Sequence, residues 1–194
     1  MPKEAFYKRL VLSSDIRNKF VSDIKRITLE YKLSPDTLNV EKDADISEIL
    51  VLSIELKKKE VEYRIIENIA RQNTHKLLFL LKFEDEGQLA LYHNKLYKTK
   101  WKLFSEFTLE TNGLNMGTIW EGFIEQIALQ EAVSKEENLS VEEKLKKQEI
   151  ILNLQKEIDN LEKRSRKEKQ PKKRFELFTQ LQSLKKQLVE EKGE

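Results

Sequence analysis

Cysteine is missing from all 194 residues, which rules out disulfides and thiolate metal sites and gives no hint of an oxidising compartment. Histidine is nearly missing too. His75 and His93 are the only two; neither has a partner at metal-ligand spacing, and each reads as a strand-end or hairpin residue. Three prolines and five glycines leave no flexible linker of any length, no Gly-rich phosphate loop and no nucleophile elbow, so neither ATP hydrolysis nor Ser or Cys catalysis is expected. The longest apolar run, Leu77 to Leu81, is far too short to span a bilayer, and no membrane association is expected. Met1-Pro2-Lys3-Glu4-Ala5-Phe6-Tyr7 lacks the uninterrupted apolar stretch of a secretory signal, so a cytoplasmic location is expected.

What is present is charge. Charged residues make up 36% of the chain against 39% hydrophobic, the balance of an ordered, heavily charged protein with room for one domain and an appendage. The net charge of +2 hides an asymmetry. The segment from Lys163 to Arg174 holds eight cations against one acid. Charge concentrated at one place favours a local contact with phosphate or an acidic surface over a general nucleic-acid coat.

Hydrophobic spacing predicts an α/β body over residues 1–130. Ser13 and Ser14 precede Ile16, Phe20, Ile24 and Ile27 at helical spacing, predicting a first helix over Asp15 to Lys32. Pro35 stops that helix, and Ser34 to Val40 reads as short and extended. Ile46 to Lys59 alternates as a strand, a helix follows through Ile65, Ile66 and Ile69, and His75 to Phe83 is a strand buried on both faces. Strand, helix, strand in so short a span implies a parallel crossover. Glu84 to Gly87 turns into a hairpin strand over Gln88 to Tyr92, and Trp101 to Glu110 supplies a further strand or two. Thr118 and Glu121 have the spacing of a capping box opening the last helix of the body. The expected fold is a mixed β-sheet flanked by helices, with a restriction-endonuclease-like arrangement as one version of it.

Residues 131–194 predict an antiparallel helical hairpin or coiled coil. Leu145, Ile151, Leu154, Ile158 and Leu161 fall on one face, Pro171 interrupts, and Leu177, Leu181, Leu184 and Leu188 repeat at four-three-four spacing. Capping boxes at Ser134/Glu137 and Ser140/Glu143 offer two starts for the first helix. The basic elbow spans residues 163–174.

In order along the chain, Ser34-Pro35-Asp36-Thr37-Leu38-Asn39, Glu48 to Lys57, Leu77 to Leu81, Tyr97-Lys98-Thr99-Lys100-Trp101 and Gly113-Leu114-Asn115-Met116 make residues 1 to about 129 resemble the bacterial and archaeal domain of unknown function 4391 family. The family carries no established activity. Its members resemble accessory genes beside DNA methyltransferases and helicases, which implies a restriction or antiviral-defence setting.

The reading that follows is a non-catalytic accessory subunit. Leu154, Ile158, Leu161, Leu177, Leu181, Leu184 and Leu188 would pair the helices or dock a protein partner, such as a helicase or methyltransferase complex or a second copy. Lys163, Arg164, Arg166, Lys167, Lys169, Lys172, Lys173 and Arg174 would contact DNA or RNA. No catalytic residue, metal or cofactor is favoured. The alternative is a Mg²⁺-dependent nuclease resembling the PD-(D/E)xK superfamily. In it Asp36 and Glu55 would hold the metal, Lys57 would steady the attacking water or phosphate, and Glu30 would be a third acid. Lysines 95, 98, 100 and 102 among Tyr92, Tyr97, Trp101 and Phe104 have the interleaving of a base-stacking surface, but a strand pair with buried rings and solvated lysines is favoured.

Overall fold

The computed structural model describes residues 10–129, 133 and 138–192. The chain divides into two compact units, Met1–Ala128 and Leu129–Glu194.

Helix α1 (Ser14–Asp23) opens on Ser13, whose hydroxyl accepts the Ile16 amide. It ends nine residues short of Lys32, because Ile24–Leu33 is not helix but the ten-residue strand β1. The sequence Ile24-Lys-Arg-Ile27-Thr28-Leu29-Glu-Tyr31-Lys-Leu33 satisfies both periods. β-branched Ile24, Ile27 and Thr28 tip it toward the extended form, where a neighbouring strand offers a full antiparallel ladder. The junction is locked by Asp23, buried at the helix end, whose carboxylate takes the Ser22 hydroxyl at 2.7 Å and the Lys58 ammonium at 3.1 Å. Burial alone would raise its pKa, but these two partners more than offset it and hold the carboxyl below its ordinary range.

Ser34 to Val40 is likewise not extended. It forms a four-residue helical turn, α2 (Pro35–Leu38), with Ser34 and Thr37 in a reciprocal capping box, Pro35 where no amide donor is needed, and Asn39 closing it at φ 53°. Strand β2 (Ile49–Leu56), helix α3 (Arg64–Arg71) and strand β3 (Lys76–Phe83) form the crossover. β2 and β3 are parallel, from Ile49 opposite Lys76 to Glu55 opposite Lys82. A tight turn with Glu84 at φ 53° leads into β4 (Glu86–His93), antiparallel to β3. Strands β5 (Lys95–Lys98) and β6 (Lys102–Leu103) both pair with β4. Of the strands expected over Trp101 to Glu110, only β6 forms, followed by a 3₁₀ turn at Phe104–Glu106. The result is an open mixed sheet of order β1-β2-β3-β4-β5 with helices on it.

Alternation along β2 and β3 assigns the two faces. Leu52, Ile54, Leu56, Leu77, Phe79 and Leu81 join Ile16 and Phe20 of α1 and Ile65, Ile66 and Ile69 of α3 in one core. Fully burying a ring such as Phe20 or Phe79 contributes about 1.5–3 kcal/mol. The opposite face carries Val51, Ser53, Leu78 and Leu80 and meets helix α4 (Met116–Ala128), which buries Ile119, Trp120, Phe123 and Ile124. Gly87 is required here. A Cβ on it would stand 2.8 Å from Phe104 Cε1 and 3.0 Å from Phe107 Cε2, so these rings lie directly on β4.

Helix α4 begins earlier than the Thr118/Glu121 pair suggests. Asn115 caps it, accepting the Thr118 amide at 2.9 Å, while Thr118 Oγ1 accepts the Asn115 amide at 3.2 Å. Asp43 braces the same end: it accepts the amides of Asp45 and Ile46, each at 2.9 Å, and of Gly117, which together hold its carboxyl below the ordinary range.

In the second unit, α5 (Val141–Lys167) starts at the second of the two expected capping boxes. Ser140 and Glu143 cap reciprocally; Ser134 and Glu137 lie outside the described residues. Helix α6 (Pro171–Lys192) follows after only three residues and packs on α5. The helical run breaks at the expected interruption, and Pro171 is the first residue of α6, where it needs no amide donor.

Candidate nucleic-acid interface

The three residues of the nuclease alternative are not brought together. Leu33, at the end of β1, is opposite Ile49, whereas Glu55 is opposite Arg26 near the start of β1. Asp36 therefore lies beyond one end of the β1–β2 ladder and Glu55 near the other, about 20 Å of strand away at about 3.3 Å per residue. Ligands of one Mg²⁺ must each come within about 2.1 Å of it. Glu55 is engaged with Lys25 at 2.5 Å, and Lys57, just past the end of β2, donates its ammonium to the Val21 carbonyl at 3.1 Å. Glu30, expected on a helix, lies on β1 where the register shifts between Leu29 and Tyr31. Its carboxylate takes Lys82 Nζ at 2.8 Å and, with Ser53 also bonded to it, is held below the ordinary range. Among the described residues no three His, Cys, Asp or Glu side chains gather as a metal would require.

Next to this neutralised cluster, the same sheet face holds a groove of about 400 Å³ lined by Tyr31, Val51, Leu80, Phe104, Phe107 and Phe123 among others. The groove is apolar and contains no paired acid and base. The lysine and aromatic interleaving beside it is self-engaged: Lys95 lies over Tyr97, Lys98 over Tyr63, Lys59 over Trp101 and Lys102 over Phe107. Tyr92, Tyr97 and Trp101 are half-buried. These rings are occupied within the fold.

The elbow differs. Its first cations complete the last turn of α5, where Arg164, Arg166 and Lys167 meet the negative end of the helix dipole. Only Glu168, Lys169 and Gln170 are non-helical. Lys172, Lys173 and Arg174 then occupy the first turn of α6, which has no acidic residue. Positive side chains at a helix N-terminus oppose the dipole and weaken the helix by about 0.3–1 kcal/mol each. All eight cations are exposed. Among the described residues only Arg166 has a carboxylate partner, Glu162 at 3.6 Å; Glu168 instead accepts the Gln170 amide at 2.8 Å.

The leucine seam is positioned for pairing within the unit. Ile158 and Leu181 are buried, Leu154, Leu161, Leu177, Leu184 and Leu188 are half-buried, and Lys185 of α6 reaches Glu162 of α5 at 2.8 Å. Off the seam, Phe175 is 71% exposed and Phe178 50%, with Ile150, Leu152 and Val189 also open to solvent. Helical period alone sets Phe175, Phe178 and Ile150 off the main seam as apolar surface for a partner helix or a second copy, and does not join the two phenylalanines to the basic contact. Their signal was the three cations directly before Phe175.

Residues 1–188 match the family described as Domain of unknown function (DUF4391), so the match covers the body expected to about residue 129 and reaches into the C-terminal helices that the resemblance also allowed. No curated protein matches the chain. No solved structure matches it, and nothing supports a restriction-endonuclease-like version of the sheet.

Proposed function

This chain belongs to the DUF4391 family, and from that premise and the geometry above we propose that it is a non-catalytic accessory subunit of a nucleic-acid-processing assembly, contacting nucleic acid through the basic tip of its helix pair. One observation carries the reading. Lys172, Lys173 and Arg174 sit at a helix N-terminus that they destabilise, exposed and without carboxylate partners among the described residues, so their placement serves something outside the fold. A polyanion is the partner that converts this cost into a gain, because each phosphate contact releases condensed counterions.

The remaining apolar surface supports the protein half of the reading. With the seam leucines facing each other, Ile150 and Leu152 of α5 and the groove on the sheet are left for a partner of the helicase or methyltransferase kind. Fluorescence anisotropy with labelled oligonucleotides tests the nucleic-acid half. Lys172→Gln/Lys173→Gln/Arg174→Gln is expected to weaken binding by at least about tenfold, while Lys25→Gln/Lys82→Gln in the body leaves it unchanged. Equal loss from both variants would reduce the tip to general charge.

A further inference from the structure

We propose that the tip of the helix pair is a single-strand site, in which Phe175 and Phe178 stack on unpaired bases while Lys172 and Arg174, which flank them around the helix, hold the phosphates. It rests on the nucleic-acid reading above and names the form of strand.

Successive residues of an α-helix are about 100° apart. Leu177, Leu181, Leu184 and Leu188 define the face of α6 turned to α5. Phe178 then lies about 90° from that seam and Phe175 about 150° from it, with Arg174 between Phe178 and the seam. The exposures agree with this placement, since Phe175 is 71% and Phe178 50% accessible while Leu181 is 7%. The two rings are one turn apart, about 4.5 Å along the axis, and both begin within four residues of the cations.

A large apolar side chain left in water forgoes the gain of burial. Two of them beside uncompensated cations form a surface that is apolar and electropositive at once. Base faces meet both demands, since every base offers a π surface and every nucleotide a negative charge. In a duplex those faces are already stacked on one another, so the rings would add nothing; in a single strand they are open.

The extent of the patch argues against a membrane surface. Beyond Phe178 the same side of α6 carries Gln182, Lys185 and Lys186 before the next exposed apolar residue, Val189, so the two rings are cut off by polar residues, whereas helices that lie in a lipid interface present a continuous apolar face.

The full chain would be titrated into labelled oligothymidylate, oligouridylate and a duplex of mixed sequence, with phosphatidylserine vesicles as a separate arm. The expected result is tighter binding to the single strands than to the duplex. Phe175→Ala/Phe178→Ala should lose at least about tenfold on single strands and little on the duplex, given about 1–3 kcal/mol per stacked base. Phe178→Trp in the Phe175→Ala background should recover part of the loss. Both rings are exposed, so helix content by circular dichroism should not change. Equal affinity for single strand and duplex, unaffected by the alanines, would overturn the stacking inference and leave the nucleic-acid reading standing. Ring-dependent vesicle binding without single-strand binding would overturn it in favour of lipid. No binding to any nucleic acid would overturn both.

Discussion

In the sheet body Lys25 faces Glu55, Lys32 faces Glu48, Lys58 faces Asp23 and Lys82 faces Glu30, whereas at the α5–α6 elbow only Arg166 has a carboxylate within ion-pair distance among the described residues. The two regions draw on the same residue types in a chain of nearly balanced charge. In the body, Lys25, Lys32, Lys58 and Lys82 are each paired with a carboxylate, and Lys95, Lys98 and Lys102 lie over rings. At the elbow, cations are placed beside one another and, in α6, at the helix end where they are least welcome. Under the function proposed above, charge left without a partner in its own unit is available for a contact outside it, whereas Glu30, Glu48, Glu55 and Asp23 of the body are already engaged by lysines.

Perturbing the body without touching the tip is the strongest way to sharpen this contrast. Gly87→Ala should lower stability by about 1–3 kcal/mol through overpacking against Phe104 and Phe107. Trp101 and Trp120, the only tryptophans, both lie in the body, so their fluorescence reports its unfolding. Below the melting transition, oligonucleotide affinity should match the wild type; a parallel loss of affinity would show that the groove, not the tip, carries binding.

Removing the α5 cap reverses the perturbation. Ser140→Ala should cost about 1 kcal/mol and appear in the helical circular dichroism signal, with the tryptophan transition unmoved. If the tryptophan transition moves equally, the two units do not melt separately.

A smaller effect has the opposite sign. Lys172→Gln/Lys173→Gln/Arg174→Gln should raise the stability of the helix pair, by about 0.3–1 kcal/mol per cation at most, while binding falls. Lys82→Gln in the body should instead lower stability slightly, as expected of an ion pair whose members are one-third exposed. Destabilisation by the elbow variant would mean that its cations are structural after all.

The smallest effect is the pH dependence that one pair adds to the body. Glu62, hydrogen-bonded and charge-paired to Arg64, has its pKa lowered from 4.5 to about 2. A depressed folded-state pKa gives stability that is fully present above 4.5 and lost as pH falls toward 2. Melting followed by tryptophan fluorescence across that window should decline less steeply in Glu62→Gln than in the wild type, and identical profiles would remove the pair from the acid response.

Much of this organisation is legible in the residues. The alternation of Leu50, Leu52, Ile54 and Leu56, the apolar run from Leu77 to Leu81 and the helix between them give the parallel β2–β3 crossover, because period and burial agree there. Spacing alone reads β1 as helix because Ile24, Ile27 and Tyr31 fit both periods; only a ladder partner distant in sequence decides between them. Asp36 and Glu55 looked like a metal pair for the related reason that spacing says nothing about which end of a ladder a residue occupies. Antiparallel register, not sequence distance, sets that. Phe175 and Phe178 were visible as off-seam residues from helical period alone, but their exposure beside the cations required the packed helix pair.

The most direct test of the contact surface is the salt dependence of oligothymidylate binding by the wild-type chain. If Lys172, Lys173 and Arg174 each meet a phosphate, the logarithm of the binding constant should fall with the logarithm of salt concentration at a slope of about −2 or steeper, at roughly −0.7 per contact. The slope of the glutamine variant should be shallower than that of the wild type by about 2. A wild-type slope close to zero, or a variant slope unchanged from wild type, would contradict the assignment of the elbow to nucleic acid.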